Sequence, residues 1–409
     1  MKQNAYVAGI GMTPFGKHMD RTLKSLAVDA IELALKDAAI DKDQLQAAYV
    51  GTAGTAVTVG QVMVPGQAAL RAMGIGHIPV INVENACASA ATSFQQACTM
   101  VSHGVYDIVL AVGMEKLYCE DKGKTFSVFT GAVDFESFDE VTEKVYDRIR
   151  EAGIDVDGDA GESRSLFMDI YAAWAIEHMR EYGTTQRDFA AVSAKNSFHG
   201  SLNPNAQYRN VMSEDEVLAA REISYPLTLA MCSPIGDGAA AAVLVSEKMA
   251  RQLGMDRMVK VRASLLRSGW DIAQSEAGVA EVVANETYEL GELGPQDLDV
   301  IELHDASSPA ELMYYEYLGL CEKGQASKLV NDGETKLGGS IPVNPSGGLL
   351  RKGHPVGATG LAQVHELVTQ LRGEAGPRQV EGARIGLAEN GGGYIGTDAA
   401  AMVISILEK

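Results

Sequence analysis

Residues 84–101 read ENACASAATSFQQACTMV. A polar turn (Asn82, Glu84, Asn85) gives way at Cys87 to a run of small residues, Ala88, Ser89, Ala90 and Ala91, which predicts the first turn of a tightly packed helix. Unpaired backbone N–H groups and the positive end of the helix dipole favour thiolate over thiol at such a position. The thiolate is the nucleophilic form, so the stretch suits covalent acyl chemistry. A small buried cysteine is the plain alternative.

The same pattern returns late in the chain. CASAATS (87–93) matches HPVGATG (354–360), with an Ala-Thr pair at the same offset. KDQLQAAYVGTA (42–53) matches PQDLDVIELHDA (295–306), and DIVLAVG (107–113) matches RIGLAEN (384–390). Three matches in one order imply an internal duplication, hence two similar α/β halves about a pseudo-twofold axis. The turns of Cys87 and His354 then occupy equivalent positions, and both can meet at the junction.

Between the repeats the pattern is mixed. Strands are predicted at 5–11, 45–50, 79–83 and 107–113, and helices at 25–39 and 62–73, an alternation that argues for a mostly parallel, helix-covered sheet. From Tyr118 to Met231 charged and aromatic residues dominate, with helices predicted at 167–182 and 186–198 and little sheet. SPIGDGAAAAVLVS (233–246) then returns to a glycine turn and a buried strand. The expected organisation is an N-terminal half of 1–117 plus 232–255, an inserted loop domain of 118–231, and a C-terminal half of 256–409.

The 409 residues carry 54 acidic and 34 basic side chains, a net charge of −20, which argues against nucleic acid or an anionic membrane as main partner. A polyanionic substrate needs positive charge gathered locally or supplied by another chain. The five cysteines are scattered, with no C-x-x-C pair, so neither a disulfide framework nor a zinc site is expected. No signal-peptide layout and no long apolar run occurs, and a cytoplasmic location is the expectation.

Three further positions can carry chemistry. His354, in RKGHPVGATG, lies among glycines that let backbone pass close to a neighbour, and can act as the base for the cysteine proton. His304, in ELHDASS, ends a buried strand, where open α/β sheets place active-site groups. Glu389-Asn390-Gly391-Gly392-Gly393 offers free amides to a developing oxyanion. The alternatives are a core histidine, a histidine held by Asp305, and a plain tight turn. GIGMTPFG (9–16) has Pro14 where a dinucleotide fingerprint needs its third glycine, so nucleotide binding is not expected there.

Together NACASA around Cys87, SPIGDGAAA (233–241), HDAS (304–307), GHPVGATG (353–360) and ENGGG (389–393) resemble the thiolase superfamily over almost the whole chain. HDAS brings it closer to the sterol-carrier-protein-type and archaeal branch, whose partner-dependent group includes benzoylsuccinyl-CoA thiolase. The resemblance implies a thiolase fold, with two duplicated βαβ halves in five layers, α-β-α-β-α. It implies Cys87 as the acylated nucleophile, His354 as its base, and His304 holding a thioester oxygen. The amides of Cys87 and Gly391 would form an oxyanion hole, and Ser233 would touch the pantetheine of coenzyme A. Coenzyme A enters as co-substrate, with no resident cofactor or metal. A homodimer core and a small zinc-ribbon/OB-fold partner are further implications. The second cysteine of two-cysteine thiolases is replaced here by Glu389 or Ala306. Either Glu389, water or a histidine moves the α-proton, or that step is altered. A retro-aldolase or C-acyltransferase on the same scaffold, and a non-catalytic acyl-CoA-binding scaffold, are the rival readings.

Overall fold

The computed structural model describes residues 3–154, 156, 165–271 and 277–409. Strand β1 (Ala5–Met12), helix α1 (Leu23–Ala38), β2 (Ala47–Gly51), β3 (Val80–Val83), α2 (Ser89–Ser102) and β4 (Ile108–Lys116) come first. Helices α3 (Lys122–Thr130), α4 (Phe138–Glu151), α5 (Leu166–Tyr182) and α6 (Gln186–Ser201) follow, with a small hairpin of β5 (Glu222–Ser224) and β6 (Leu227–Thr228). β7 (Asp237–Ser246) then rejoins the first sheet. The remainder holds β8 (Val259–Ser268), α7 (Val279–Gly291), β9 (Val300–Glu302), α8 (Ser308–Tyr317), α9 (Thr359–Leu371), β10 (Ile385–Gly392) and β11 (Ala401–Glu408). Shorter helical turns join these elements.

The duplication is visible in the strand order. The first half runs β3-β2-β4-β7-β1, and the second runs β9-β10-β11-β8 with Val343 bridged to Ile301 at its outer edge. β2 is parallel to β3 and β4, and β4-β7-β1 is antiparallel; β9 is parallel to β10, and β10-β11-β8 is antiparallel. The expected mostly parallel sheet is thus corrected to a mixed one. Each half closes on a returning strand, β7 or β11, that pairs antiparallel with both neighbours. Antiparallel pairing of β1 with β8 (Ala5–Val261, Tyr6–Lys260, Val7–Val259) joins the halves into one nine-stranded sheet.

Alternation along the strands separates the layers. In β7, Ala240, Ala242 and Leu244 face the interior between the halves, while Ala239, Ala241 and Val243 face α1. The interior holds α2 and α9 side by side. Ala90, Phe94, Ala97 and Val101 recur at helical spacing, as do Leu361, Val364, Leu367 and Leu371, and both stripes join strand residues of the two halves in one cluster. A second apolar cluster lies between α1 and the first half, and a third gathers α5, α6, α7 and α8 on the far face of the second. This is the five-layer arrangement, α-β-α-β-α, that the sequence resemblance implies.

The middle layer is close-packed at glycine. A Cβ on Gly360 would lie 2.6 Å from the Ala91 nitrogen, and one on Gly113 would lie 2.7 Å from the Gly357 carbonyl oxygen. Gly360→Val should therefore overpack the seam and lower the urea midpoint by the equivalent of about 1–3 kcal/mol. Gly131→Ala, where the added carbon has room and φ is −81°, should leave the midpoint unchanged.

Candidate active site

The chain turns sharply before α2. Ala86 has a left-handed φ of 47°, and the Ala88 amide closes the turn on the Asn85 carbonyl at 2.9 Å. A left-handed alanine is strained by about 1–2 kcal/mol, and it breaks any helix there. Cys87 accordingly sits in this turn, two residues before α2, rather than in its first turn as expected. Side chains brace the turn: Glu84 accepts from the Ala86 amide at 2.6 Å, and Ser89 Oγ from the Asn85 amide at 2.9 Å. Gly392 lets it sit against β10, since a Cβ there would lie 2.2 Å from the Asn85 oxygen.

The His354 turn is fixed from the other half. Its amide donates to Pro234 O at 2.9 Å, and its Nδ1 lies 2.8 Å from Thr359 Oγ1. That hydroxyl itself donates to Pro355 O at 3.3 Å, which leaves Nδ1–H as the donor to it and Nε2 as a free base. Glu115 ties the His354 turn to the loop after β2. Its buried carboxylate accepts from the Ala53 and Gly54 amides of one half and, at 2.9 Å, from the Gly357 amide of the other.

Cys87 Sγ and the ring nitrogens of His304 and His354 converge within 4.8 Å of one another. The two imidazoles meet edge to face with centroids 5.2 Å apart. They open on a cavity of about 560 Å³ that Ser233 and Gly391 also line. Asp305 does not hold the His304 ring; it accepts from the Leu349 amide at 2.6 Å and from Asn196 at 2.9 Å. The His304 amide donates to Glu389 Oε2 at 2.9 Å, and His304 Nε2 is buried without a partner. Glu389 is buried behind β10 and does not line the cavity.

Burial governs the protonation states. It pushes the Cys87 thiol up to about 12, the nearby Glu115 pushes the same way, and the amides of Cys87 and Gly393 pull it down. The dipole argument from the sequence is thus outweighed by desolvation. Burial holds His354 well below the usual imidazole range and brings His304 down to about 4. Glu389 rises to about 8 through desolvation, opposed by the His304 amide, the Tyr314 hydroxyl and the Gly391 amide. The ENGGG stretch is not an open turn either: β10 continues through Gly392, paired with Ala401. The resting site is a neutral thiol beside a neutral imidazole, able to pass a proton when an electrophile arrives.

Sequence reading missed the aromatic lining. Among the described residues, nine aromatic side chains border the cavity, in a chain where aromatics are 6% of residues. Tyr171 and Trp174 stack edge to face at 5.5 Å, and Trp174 meets Tyr394 at 6.1 Å. Phe167, Tyr171 and Trp174 share one face of α5 at helical spacing, but Tyr394 comes from the loop after β10, and no sequence period links it to them.

Two family models match the chain: "Thiolase, N-terminal domain" over residues 5–217 and "Thiolase C-terminal domain-like" over residues 229–406. Acetyl-CoA acetyltransferase of Methanothermobacter thermautotrophicus is 38% identical over 401 residues, covering 96% of this chain and 97% of that protein. Human sterol carrier protein 2 is 38% identical, covering 95% of this chain and 70% of that protein. Benzoylsuccinyl-CoA thiolase subunit BbsB of Thauera aromatica is 36% identical, covering 93% and 92%. Among solved structures, the Ltp2-ChsH2(DUF35) aldolase matches with a TM-score of 0.78 at 24% identity, over 99% of this chain and 98% of that one. Human mitochondrial 3-ketoacyl-CoA thiolase in complex with CoA matches with a TM-score of 0.69 at 14% identity, over 100% and 99%. At those identities the two structures bear on the fold alone.

With its pKa raised, Cys87 should be alkylated by iodoacetamide at a rate that climbs steadily as pH rises from 6 to 9. A preformed thiolate–imidazolium pair would instead give a plateau across that range. Peptide mapping of the adduct against pH distinguishes the two.

Proposed function

This chain belongs to the thiolase family, and we propose that within it the protein splits a β-ketoacyl-CoA by thiolysis through an acyl-Cys87 intermediate. The convergence of Cys87, His304 and His354 on one cavity carries this reading. Cys87 attacks the keto carbon while His354 Nε2 takes its proton. The C–C bond breaks to an acyl thioester and a CoA enolate, whose oxygen is held by His304. Coenzyme A, as co-substrate, then removes the acyl group and Cys87 recovers its proton from His354. Charge develops on two oxygens in turn, so the backbone amides beside Cys87, with Gly391, form the second oxyanion hole. Ser233 borders the path of the pantetheine. The aromatic lining favours a bulky or ring-bearing acyl group over acetyl.

The assembly follows from edges and charge. Among the described residues β3 pairs only with β2, and its residues are half-buried to exposed, so its outer edge suits a twofold homodimer. Among the described residues, Arg221 is the one lysine or arginine lining the cavity, which is little positive charge for the phosphates of coenzyme A. A small zinc-ribbon/OB-fold partner would supply more, in keeping with a relative named as a subunit. Full-strength coenzyme A binding by the isolated chain would count against such a partner.

The rival is carbon–carbon cleavage without thiolysis, as in an aldolase. Incubation with a β-ketoacyl-CoA panel should consume free coenzyme A and yield two acyl-CoA products, ring-bearing substrates being used at least as well as acetoacetyl-CoA. Cys87→Ala should lower turnover by about a thousandfold or more, and His304→Ala by about 10²–10³. Cleavage that releases a free carbonyl compound and leaves coenzyme A untouched would overturn the reading in favour of the aldolase. Acyl-CoA binding with no turnover on any substrate would favour a non-catalytic scaffold.

A further inference from the structure

Thiolysis leaves a carbon to be protonated, and the cavity must supply the proton. Glu389 carries an acid of suitable strength, but its carboxyl lies behind β10, outside the cavity lining. Its Oε2 is taken by the His304 amide, and its Oε1 has no partner at hydrogen-bond distance. One side chain spans the gap. Tyr314, on α8, lines the cavity together with Cys87, His304, His354 and Gly391. Its hydroxyl lies 3.3 Å from the point where a Cβ on Gly391 would stand, and Glu389 Oε1 lies 3.7 Å from that same point. The missing side chain at Gly391 thus leaves a space that the phenol and the carboxyl both border, with Met402 Cε 3.3 Å away on another side. The ring is fixed from behind by Tyr317, edge to face at 5.9 Å.

We propose that Tyr314 is the catalytic group that exchanges the α-proton, with Glu389 as the proton reservoir behind it. This inference rests on the thiolysis reading. In cleavage, the enolate electron pair forms the new C–H bond with the Tyr314 hydroxyl proton. The O–H bond breaks, and the phenolate takes a proton from the Glu389 carboxyl. When the second coenzyme A arrives, the Tyr314 phenol hands its proton back to the Glu389 carboxylate as its oxygen takes the thiol proton, which restores both groups. The CoA thiolate attacks acyl-Cys87, and the departing Cys87 sulfur recovers its proton from His354. Protons and charges balance over the cycle, and no further reactant is needed. The direction is favourable because an enolate carbon is a far stronger base than a phenolate, so even a tyrosine made less acidic by burial can serve it.

Two other groups compete for the role. Cys232 also lines the cavity, but its thiol donates to Thr228 O at 3.4 Å and its backbone bridges to Ser307. Tyr171 lines it too, packed against Trp174. The proposal therefore separates by variant.

The test is hydrogen–deuterium exchange at the α-carbon of straight-chain acyl-CoAs from acetyl to butyryl in D₂O, followed by mass spectrometry beside thiolysis rates. Tyr314→Phe should lose about 10²–10⁴ of the exchange rate, the usual weight of one general acid–base group. Its Cys87 should still be alkylated by iodoacetamide within about threefold of the parent rate, showing an intact fold and nucleophile. Glu389→Gln should lose exchange as well and remove any inflection of the exchange rate near pH 8, whereas Cys232→Ser should exchange normally. Parent-like exchange by Tyr314→Phe, or loss of exchange in Cys232→Ser alone, overturns the assignment while thiolysis by the parent leaves the reaction standing. A parent protein that neither exchanges nor cleaves overturns both.

Discussion

The structure depends on backbone brought to within contact distance across its own duplication. Two helix starts, one from each half, share the middle layer, and they can do so only because small residues stand where they touch. Gly360 lies against Ala91, Gly357 against Thr52 and Glu115, Gly113 against Ala90 and Ala358, and Gly392 against Asn85 and Ala88. Each contact would be closed by a single methyl group, and protein interiors do not absorb such volume without strain. The buried Glu115 carboxylate, accepting amides from both halves, sets their register. The geometry of the candidate site is a by-product of this packing: turns at equivalent positions in the repeat end up opposite each other, so sulfur and imidazole meet at the seam.

The electrostatics follow from the same enclosure. Desolvation raises the thiol and lowers both imidazoles, so the groups rest uncharged. In the proposed thiolysis, charge would develop only as the sulfur attacks. A preformed thiolate would be more exposed to oxidation and to stray electrophiles. The strained Ala86 serves the same end, holding Cys87 at the tip of its turn.

Much of this was legible in the chain. The repeat of CASAATS in HPVGATG announced two equivalent turns, and the strand order of the two halves matches as that repeat requires. What the repeat could not carry was handedness of pairing. β7 and β11 read as ordinary apolar strands, and nothing in their residues says that each returns antiparallel. The start of α2 was misjudged because alanine ordinarily extends a helix, whereas here the neighbouring β10 and the Glu84 side chain hold Ala86 left-handed. The thiol's pKa was misjudged because a dipole can be read locally while burial cannot. Glu389, Tyr314 and the aromatic wall were invisible as a unit, since α5, α8 and β10 bring them together from distances no spacing rule spans.

The central claim is that residues 267 positions apart, Cys87 and His354, face each other across the seam. A short bifunctional alkylator tests it most directly. Dibromoacetone adds first to the cysteine and then to any imidazole within a few ångströms. The account predicts that digestion after treatment yields a cross-linked pair of peptides, one holding Cys87 and the other His354 or His304, with two free peptides lost in equal measure. Cys87 carrying only a dangling single adduct, with both histidine peptides recovered unmodified, would contradict it.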